Sequence, residues 1–249
     1  MLRAIWMAIY FFAYLLFLIP SIARIKKLKK KGEEQEVNTL LHQISCAWGK
    51  HIIRQTGSTV QVSGTKNLPE GPVLFVSNHQ GYFDIPLLFG FIDKPKGFIA
   101  KKELGNVPLF GKWIPRMKSV FIDRGNPRQS IRAFQQAFEI MKTGYSMVIF
   151  PESARSKGPH MLPFKPASLR LAIKSGVPIV PVAIDGSYRI WEANKYAVKP
   201  SEVFIHVFEP IYPKQLSKEE QANLSDTIQH QIKSFLEDKD RSAFGSSDG

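Results

Sequence analysis

Apolar and polar positions divide the chain near residue 57. Ala4–Ile19 reads A-I-W-M-A-I-Y-F-F-A-Y-L-L-F-L-I, and no charge falls between Ala4 and Ala23. As a helix, about 20 residues span roughly 30 Å, the thickness of a bilayer hydrocarbon core. Pro20 interrupts this run, which fits either a spanning helix or one lying in a single leaflet. A second helical pattern covers about Glu33–Thr56, with Val37, Leu40, Leu41, Ile44, Trp48 and Ile52 on one stripe. Glu33, Glu34 and Glu36 open it and Lys50 and Arg54 close it, the signs a helix dipole favours. Its stripe serves equally for packing on a domain or for facing lipid.

From Ser58 onward, short apolar runs alternate with helical patterns, which predicts βαβ units and a mostly parallel central sheet flanked by helices. The expected strands are Thr59–Ser63, Val73–Val76, Gly97–Ala100, Ser119–Asp123, Met147–Phe150, Ile179–Ile184 and Val203–Phe208. One helix is marked by Asn126 as N-cap, Pro127 at the first helical position, a stripe of Ile131, Phe134, Phe138 and Met141, and Gly144 past its end. Another covers about Ala167–Ser175. The last opens on a capping box, Ser217 to Glu220, and carries Leu224, Ile228, Ile232 and Phe235. The fold class is therefore α/β with an N-terminal membrane-associated helical pair. Residues 1–57 form that pair, 58–240 the α/β domain, and 241–249 a polar, flexible tail.

Charge sharpens the picture. The 249 residues carry a formal net charge of +13, so the expected partner is anionic: phospholipid, phosphate ester, acidic protein or nucleic acid. The first 32 residues hold seven basic groups and no acid, six of them between Arg24 and Lys31, directly after the apolar run. A basic cluster in that place matches anionic headgroups and marks the cytoplasmic side. A secretory signal would carry its positive flank before the apolar run. Cys46 is the only cysteine, which excludes an intramolecular disulfide and any cysteine-cluster metal site.

In parallel α/β sheets ligands bind beyond the carboxyl ends of the strands. Asn78 and His79 follow the second predicted strand, with Asp84 five residues after His79. Lys101, Lys102 and Glu103 follow the third, Asp123 and Arg124 end the fourth, and Pro151 to Arg155 follow the fifth. On one helix, His79 and Asp84 would point about 140° apart at roughly 100° per residue, so contact needs a non-helical turn, which Gly81 can supply. A carboxylate on one imidazole nitrogen fixes the tautomer and leaves the other nitrogen as a base. The plain alternative makes Asp84 an N-cap and His79 a loop residue. Basic and aromatic residues intermingle between Lys94 and Arg132, a mixture that suits nucleic acid or a lipid-facing surface; the apolar N-terminal segment favours lipid. Ser153 lies in F-P-E-S-A-R-S, which lacks the G-x-S-x-G elbow of a serine hydrolase.

These residues resemble a known family. N-H-Q-G-Y-F-D at 78–84, F-I-D-R at 121–124, F-P-E-S-A-R-S at 150–156 and V-P-I-V-P-V-A at 177–183 are similar, in order and spacing, to the four blocks of the glycerolipid acyltransferases with a histidine-x4-aspartate motif. The blocks look most like those of enzymes that acylate lysophosphatidic acid. The resemblance implies transfer of a fatty acyl group from a thioester to the sn-2 hydroxyl of lysophosphatidic acid, giving phosphatidic acid, or to a related glycerolipid acceptor. It implies His79 as general base, Asp84 as its orienting partner, and Arg124, Glu152, Arg155 and Lys101 or Lys102 as ligands of the glycerol phosphate. Residues 177–183 would line the acyl pocket or support the sheet. It implies no metal or prosthetic group, only an acyl carrier protein or coenzyme A thioester as co-substrate. It also implies membrane phospholipid as partner and a membrane-associated active site on the cytoplasmic side. Gly81 stands where the family commonly has Ser, and Ser153-Ala154 where it commonly has Gly-Thr.

Overall fold

The computed structural model describes residues 2–195 and 197–238; the tail expected from 241 lies outside them. Three helices come first: α1 (Leu2–Phe17), α2 (Ile19–Lys31) and α3 (Glu34–Thr56). Then follow β1 (Thr59–Ser63), β2 (Leu74–Ser77), α4 (Asp84–Phe91), β3 (Lys96–Lys101), α5 (Phe110–Arg116), β4 (Val120–Ile122) and α6 (Pro127–Lys142). The chain continues through β5 (Ser146–Ile149), α7 (Ala167–Ser175), β6 (Ile179–Asp185), β7 (Glu202–Val207) and α8 (Lys218–Glu237). All seven expected strands form, within two residues of their expected ends, in one sheet of order β1-β7-β6-β2-β5-β3-β4. β1–β7, β2–β6 and β3–β4 pair parallel, and β6–β7 pair antiparallel. The described residues form two compact units, one drawn from Met1–Gln55 and Pro86–Met147, the other from Thr56–Ile85 and Val148–Gly249.

In the first unit the stripe of α3 faces protein. Val37, Leu41 and Ile44 are buried with Leu15 of α1, Ile25 of α2 and Leu18 between those helices, and with Trp113 and Tyr145. Phe11 adds ring contacts to Trp48 at 6.1 Å and Phe110 at 5.3 Å. α3 and α4 meet through glycines: a Cβ on Gly49 would sit 2.3 Å from the Pro86 carbonyl oxygen. The Lys118 ammonium, 8% exposed as a residue, donates to Glu34, Asn38 and Thr143, tying α3 to the end of α6. The other face of α1 differs: Ile5, Trp6, Ile9, Leu16 and Phe17 are exposed. At roughly 100° per residue they fall within an arc of about 120°, opposite Met7 and Leu15.

α6 departs from its expected stripe. Ala133, Ala137 and Met141 are buried, while Ile131 is 51% exposed and Phe134 and Phe138 are only partly covered. Small residues let the helix lie close to β3 and β4, and the bulkier side chains are displaced to its flanks.

In the second unit every residue of β2 and β6 is buried, as parallel strands covered on both faces require. α8 lies on β6 and buries Leu224, Ile228, Ile232 and Phe235, the stripe its periodicity gave. The Ser217–Glu220 capping box is formed on both sides.

Candidate active site

The site grows from the end of β2. Asn78, fully buried, acts as an extra rung between β2 and β6: its Nδ2 donates to Ile184 O and its Oδ1 accepts from Ile184 N, each at 2.8 Å. The side chain thus replaces backbone pairing where the chain leaves the sheet, and His79 emerges at a fixed angle. His79 Nδ1 lies 2.6 Å from Asp84 Oδ2. The same oxygen accepts from Gly81 N–H at 2.9 Å, and Oδ1 accepts from the Ser187 hydroxyl. Asp84 is fully buried, and with three donors around it the ionised form is satisfied. Nδ1 is then the protonated nitrogen, and Nε2 carries the lone pair. The Phe150 ring stacks on the imidazole with centroids 4.0 Å apart and planes 13° apart, which holds the ring orientation. Gly81 has no positive φ, so the turn does not need glycine's backbone freedom. What it needs is the missing side chain: a Cβ there would lie 2.6 Å from Glu192 Oε2.

The loop after β5 locks against this turn. Ser156 N–H donates to His79 O at 2.8 Å and Lys157 N–H to Gln80 O at 3.1 Å. Glu152 accepts from His79 N–H through Oε1 and from Leu162 N–H through Oε2, both at 2.7 Å. Expected among the phosphate ligands, Glu152 instead has both oxygens occupied by backbone amides and is 4% exposed. Burial pushes its carboxyl up to about 7, against the two amide bonds that favour the ionised form. The Arg155 guanidinium lies 3.5 Å from the centre of the Tyr82 ring, and its Nη1 is 3.4 Å from Glu192 Oε1.

His79, Asp84, Glu152 and Arg155 thus come together within the second unit. Lys101, Lys102 and Arg124 belong to the first. There Lys101 pairs with Glu103 at 3.4 Å, Lys102 pairs with Asp123 at 2.6 Å, and Arg124 is exposed. Ser187 and Glu192 escaped the sequence reading. The signal was there: Asp185-Gly-Ser187 follows an apolar strand directly, and the rule applied to four strand ends applies equally to β6, the parallel neighbour of β2.

A histidine oriented by a buried carboxylate at a parallel strand end, with an arginine held in the same unit, defines an acid–base site for group transfer on an α/β scaffold. The chain belongs to the Acyltransferase family, whose model matches residues 59–185. It is 32% identical over 164 residues to a 1-acyl-sn-glycerol-3-phosphate acyltransferase of Cocos nucifera, a match covering 66% of this chain and 53% of that one. With the enzyme of that name from Borreliella burgdorferi it shares 31% identity over 183 residues, 73% of each chain. The match thus spans about half of the coconut relative and nearly three quarters of the Borreliella one. The crystal structure of the 1-acyl-sn-glycerophosphate (LPA) acyltransferase PlsC from Thermotoga maritima superposes with a TM-score of 0.75 at 30% identity, covering 95% of both chains.

Proposed function

We propose that this protein is an O-acyltransferase that moves a fatty acyl group from a thioester to the sn-2 hydroxyl of lysophosphatidic acid, forming phosphatidic acid. The contact that carries the reading is His79 Nδ1 to Asp84 Oδ2 at 2.6 Å. His79 Nε2 takes the hydroxyl proton as the alkoxide oxygen attacks the thioester carbonyl. The tetrahedral intermediate collapses with loss of thiolate, which accepts the proton from His79. Asp84 stabilises the imidazolium between these steps. No acyl-enzyme is needed, because a thiolate leaves readily. Arg155 binds the acceptor phosphate and so brings the hydroxyl to Nε2; positioning of this kind lowers a barrier by several kcal/mol. Lys101, Lys102 and Arg124, all on the first unit, keep their assignment as cations for an anionic substrate group. The donor is a coenzyme A or acyl carrier protein thioester. Relatives carrying the name of this activity, among them one matching over 73% of its length, support the assignment.

Arg3–Lys31 is, among the described residues, the one helical stretch long and apolar enough to cross a membrane. In this reading the exposed apolar arc of α1 enters the bilayer, and the basic residues of α2 rest on anionic headgroups at its cytoplasmic face. The acceptor is concentrated in that same bilayer.

The deciding assay incubates purified protein with lysophosphatidic acid and labelled acyl-coenzyme A or acyl carrier protein, with other lysophospholipids as parallel acceptors. Phosphatidic acid is the expected product, and His79→Ala reduces its formation at least about a hundredfold, as loss of a general base does. Full activity in that variant refutes the mechanism. Preference for another lysophospholipid replaces the acceptor.

A further inference from the structure

We propose that Glu192 is a positioning residue of this site: its buried carboxylate fixes the Gly81–Tyr82 turn and holds the Arg155 guanidinium ready for an anionic acceptor. The inference rests on the acyl-transfer reading above for the nature of the ligand, and on geometry alone for the rest.

Glu192 lies on the short helical turn Glu192–Asn194 after β6, and its side chain is 1% exposed. Burying a carboxylate is costly unless specific groups compensate it. Oε1 accepts from Tyr82 N–H at 2.8 Å and faces Arg155 Nη1 at 3.4 Å. Oε2 is buried with no hydrogen-bond partner among the described residues. Burial raises its pKa, the amides of Tyr82 and of Glu192 itself oppose this, Asp84 raises it further and Arg155 lowers it. A group kept at such cost has a task.

The task is legible in what the carboxylate touches. Against Gly81, it fills the volume of a side chain: a Cβ there would meet Oε2 at 2.6 Å, Cδ at 2.9 Å and Oε1 at 3.0 Å. Glycine therefore stands at 81 to admit Glu192. Through Tyr82 N–H, it pins the residue two before Asp84, in the turn that carries His79 to its partner. Through Arg155, it supplies one of two restraints, the other being the Tyr82 ring. The Trp191 ring, 5.2 Å from that of Tyr82, braces the arrangement. An arginine already confined in this way loses less freedom when it takes a phosphate.

The test uses full-length protein in mixed micelles, with lysophosphatidic acid varied at fixed acyl thioester. Glu192→Gln keeps a carbonyl oxygen for the Tyr82 amide and fits the same space, but removes the charge beside Arg155. It retains kcat within about threefold and raises the acceptor KM about tenfold, leaving the donor KM unchanged. Glu192→Ala loses both contacts, and kcat falls about tenfold or more as well. Gly81→Ala expels the carboxylate and reproduces Glu192→Ala, and the double variant is no worse than either single change. Wild-type kcat and acceptor KM in Glu192→Ala, or losses that multiply in the double variant, overturn the proposal. Hydrogen–deuterium exchange across residues 79–84 gives an answer independent of substrate. Fast exchange at Tyr82 in Glu192→Ala, with slow exchange in Glu192→Gln, is expected; slow exchange in both overturns it. A wild type that acylates no lysophosphatidic acid refutes the acceptor assignment instead, and the exchange experiment still decides the role of Glu192.

Discussion

At the scale of single residues, the site depends on carboxylates with different duties. Asp84 orients a base, Glu152 clamps two backbone amides, and Glu192 holds a turn and an arginine. In Glu152→Gln one of the two amides faces an NH2 group in place of an oxygen. His79 or Leu162 then loses its acceptor, and an unsatisfied buried donor costs about 1–3 kcal/mol. Steady-state kinetics of that variant should show kcat lowered about tenfold or more with a nearly unchanged acceptor KM; an increase confined to the acceptor KM would restore Glu152 to the phosphate ligands. Ser153 has φ +64°, in the left-handed region that favours glycine. Ser153→Gly relieves a strain of about 1–2 kcal/mol, offset in part by glycine's greater unfolded-state entropy. A rise of a few degrees in the thermal midpoint, with the Arg155 geometry and activity retained, is the expected outcome.

Among the elements, β3 holds an unusual group. Lys96 is fully buried and donates to Ile92 O at 2.6 Å. Burial lowers its pKa to about 7, with Cys46 and Asp93 pulling weakly the other way. The unfolded chain keeps this proton up to the ordinary lysine range, while the folded protein releases it near neutrality. Stability from this group therefore rises with pH between about 7 and 10, with a slope of about 1.4 kcal/mol per pH unit. Denaturant unfolding in detergent at pH 6, 7.5 and 9 should show that rise, and Lys96→Met should remove it. A slope unchanged by the substitution would mean that Lys96 stays charged when buried. The same scale explains α6, whose buried line is Ala133, Ala137 and Met141. Hydrophobicity alone favoured its larger residues, but the close approach of a helix to strands selects the smaller ones.

For the molecule as a whole, membrane attachment and folding share the N-terminal helices. Leu15, Leu18 and Ile25 belong to the same core as Val37, Leu41 and Trp113, so removing residues 1–31 would uncover that core. A cleaner experiment changes only the outer arc. Trp6→Ser, Ile9→Ser and Phe17→Ser together remove large apolar groups that are 56%, 60% and 76% exposed. Transfer of each such side chain from water to an apolar medium is worth about 1.5–3 kcal/mol. The triple variant should leave sedimented anionic vesicles while keeping its melting profile; retention on vesicles would assign attachment to the basic residues of α2 or to another surface.

The kind and order of the elements can be read along the chain, because period-two and period-3.6 patterns, caps and glycine stops are local properties of a chain. The sequence also marked His79 and Asp84, five residues apart, and the block at 150–156 that contains Arg155. Tertiary structure decided what those residues are attached to. Glu152 meets His79 across 73 residues of chain, Ser187 meets Asp84 across 103, and Glu192 meets Tyr82 across 110. No local pattern encodes such contacts, since they exist only once β2 lies between β6 and β5 in the sheet, with the loops that follow all three strands brought to one place. The stripe of α3 likewise suited protein or lipid equally as a pattern. Only packing against Trp113 and Tyr145 separated the helix face that meets protein from the one left bare.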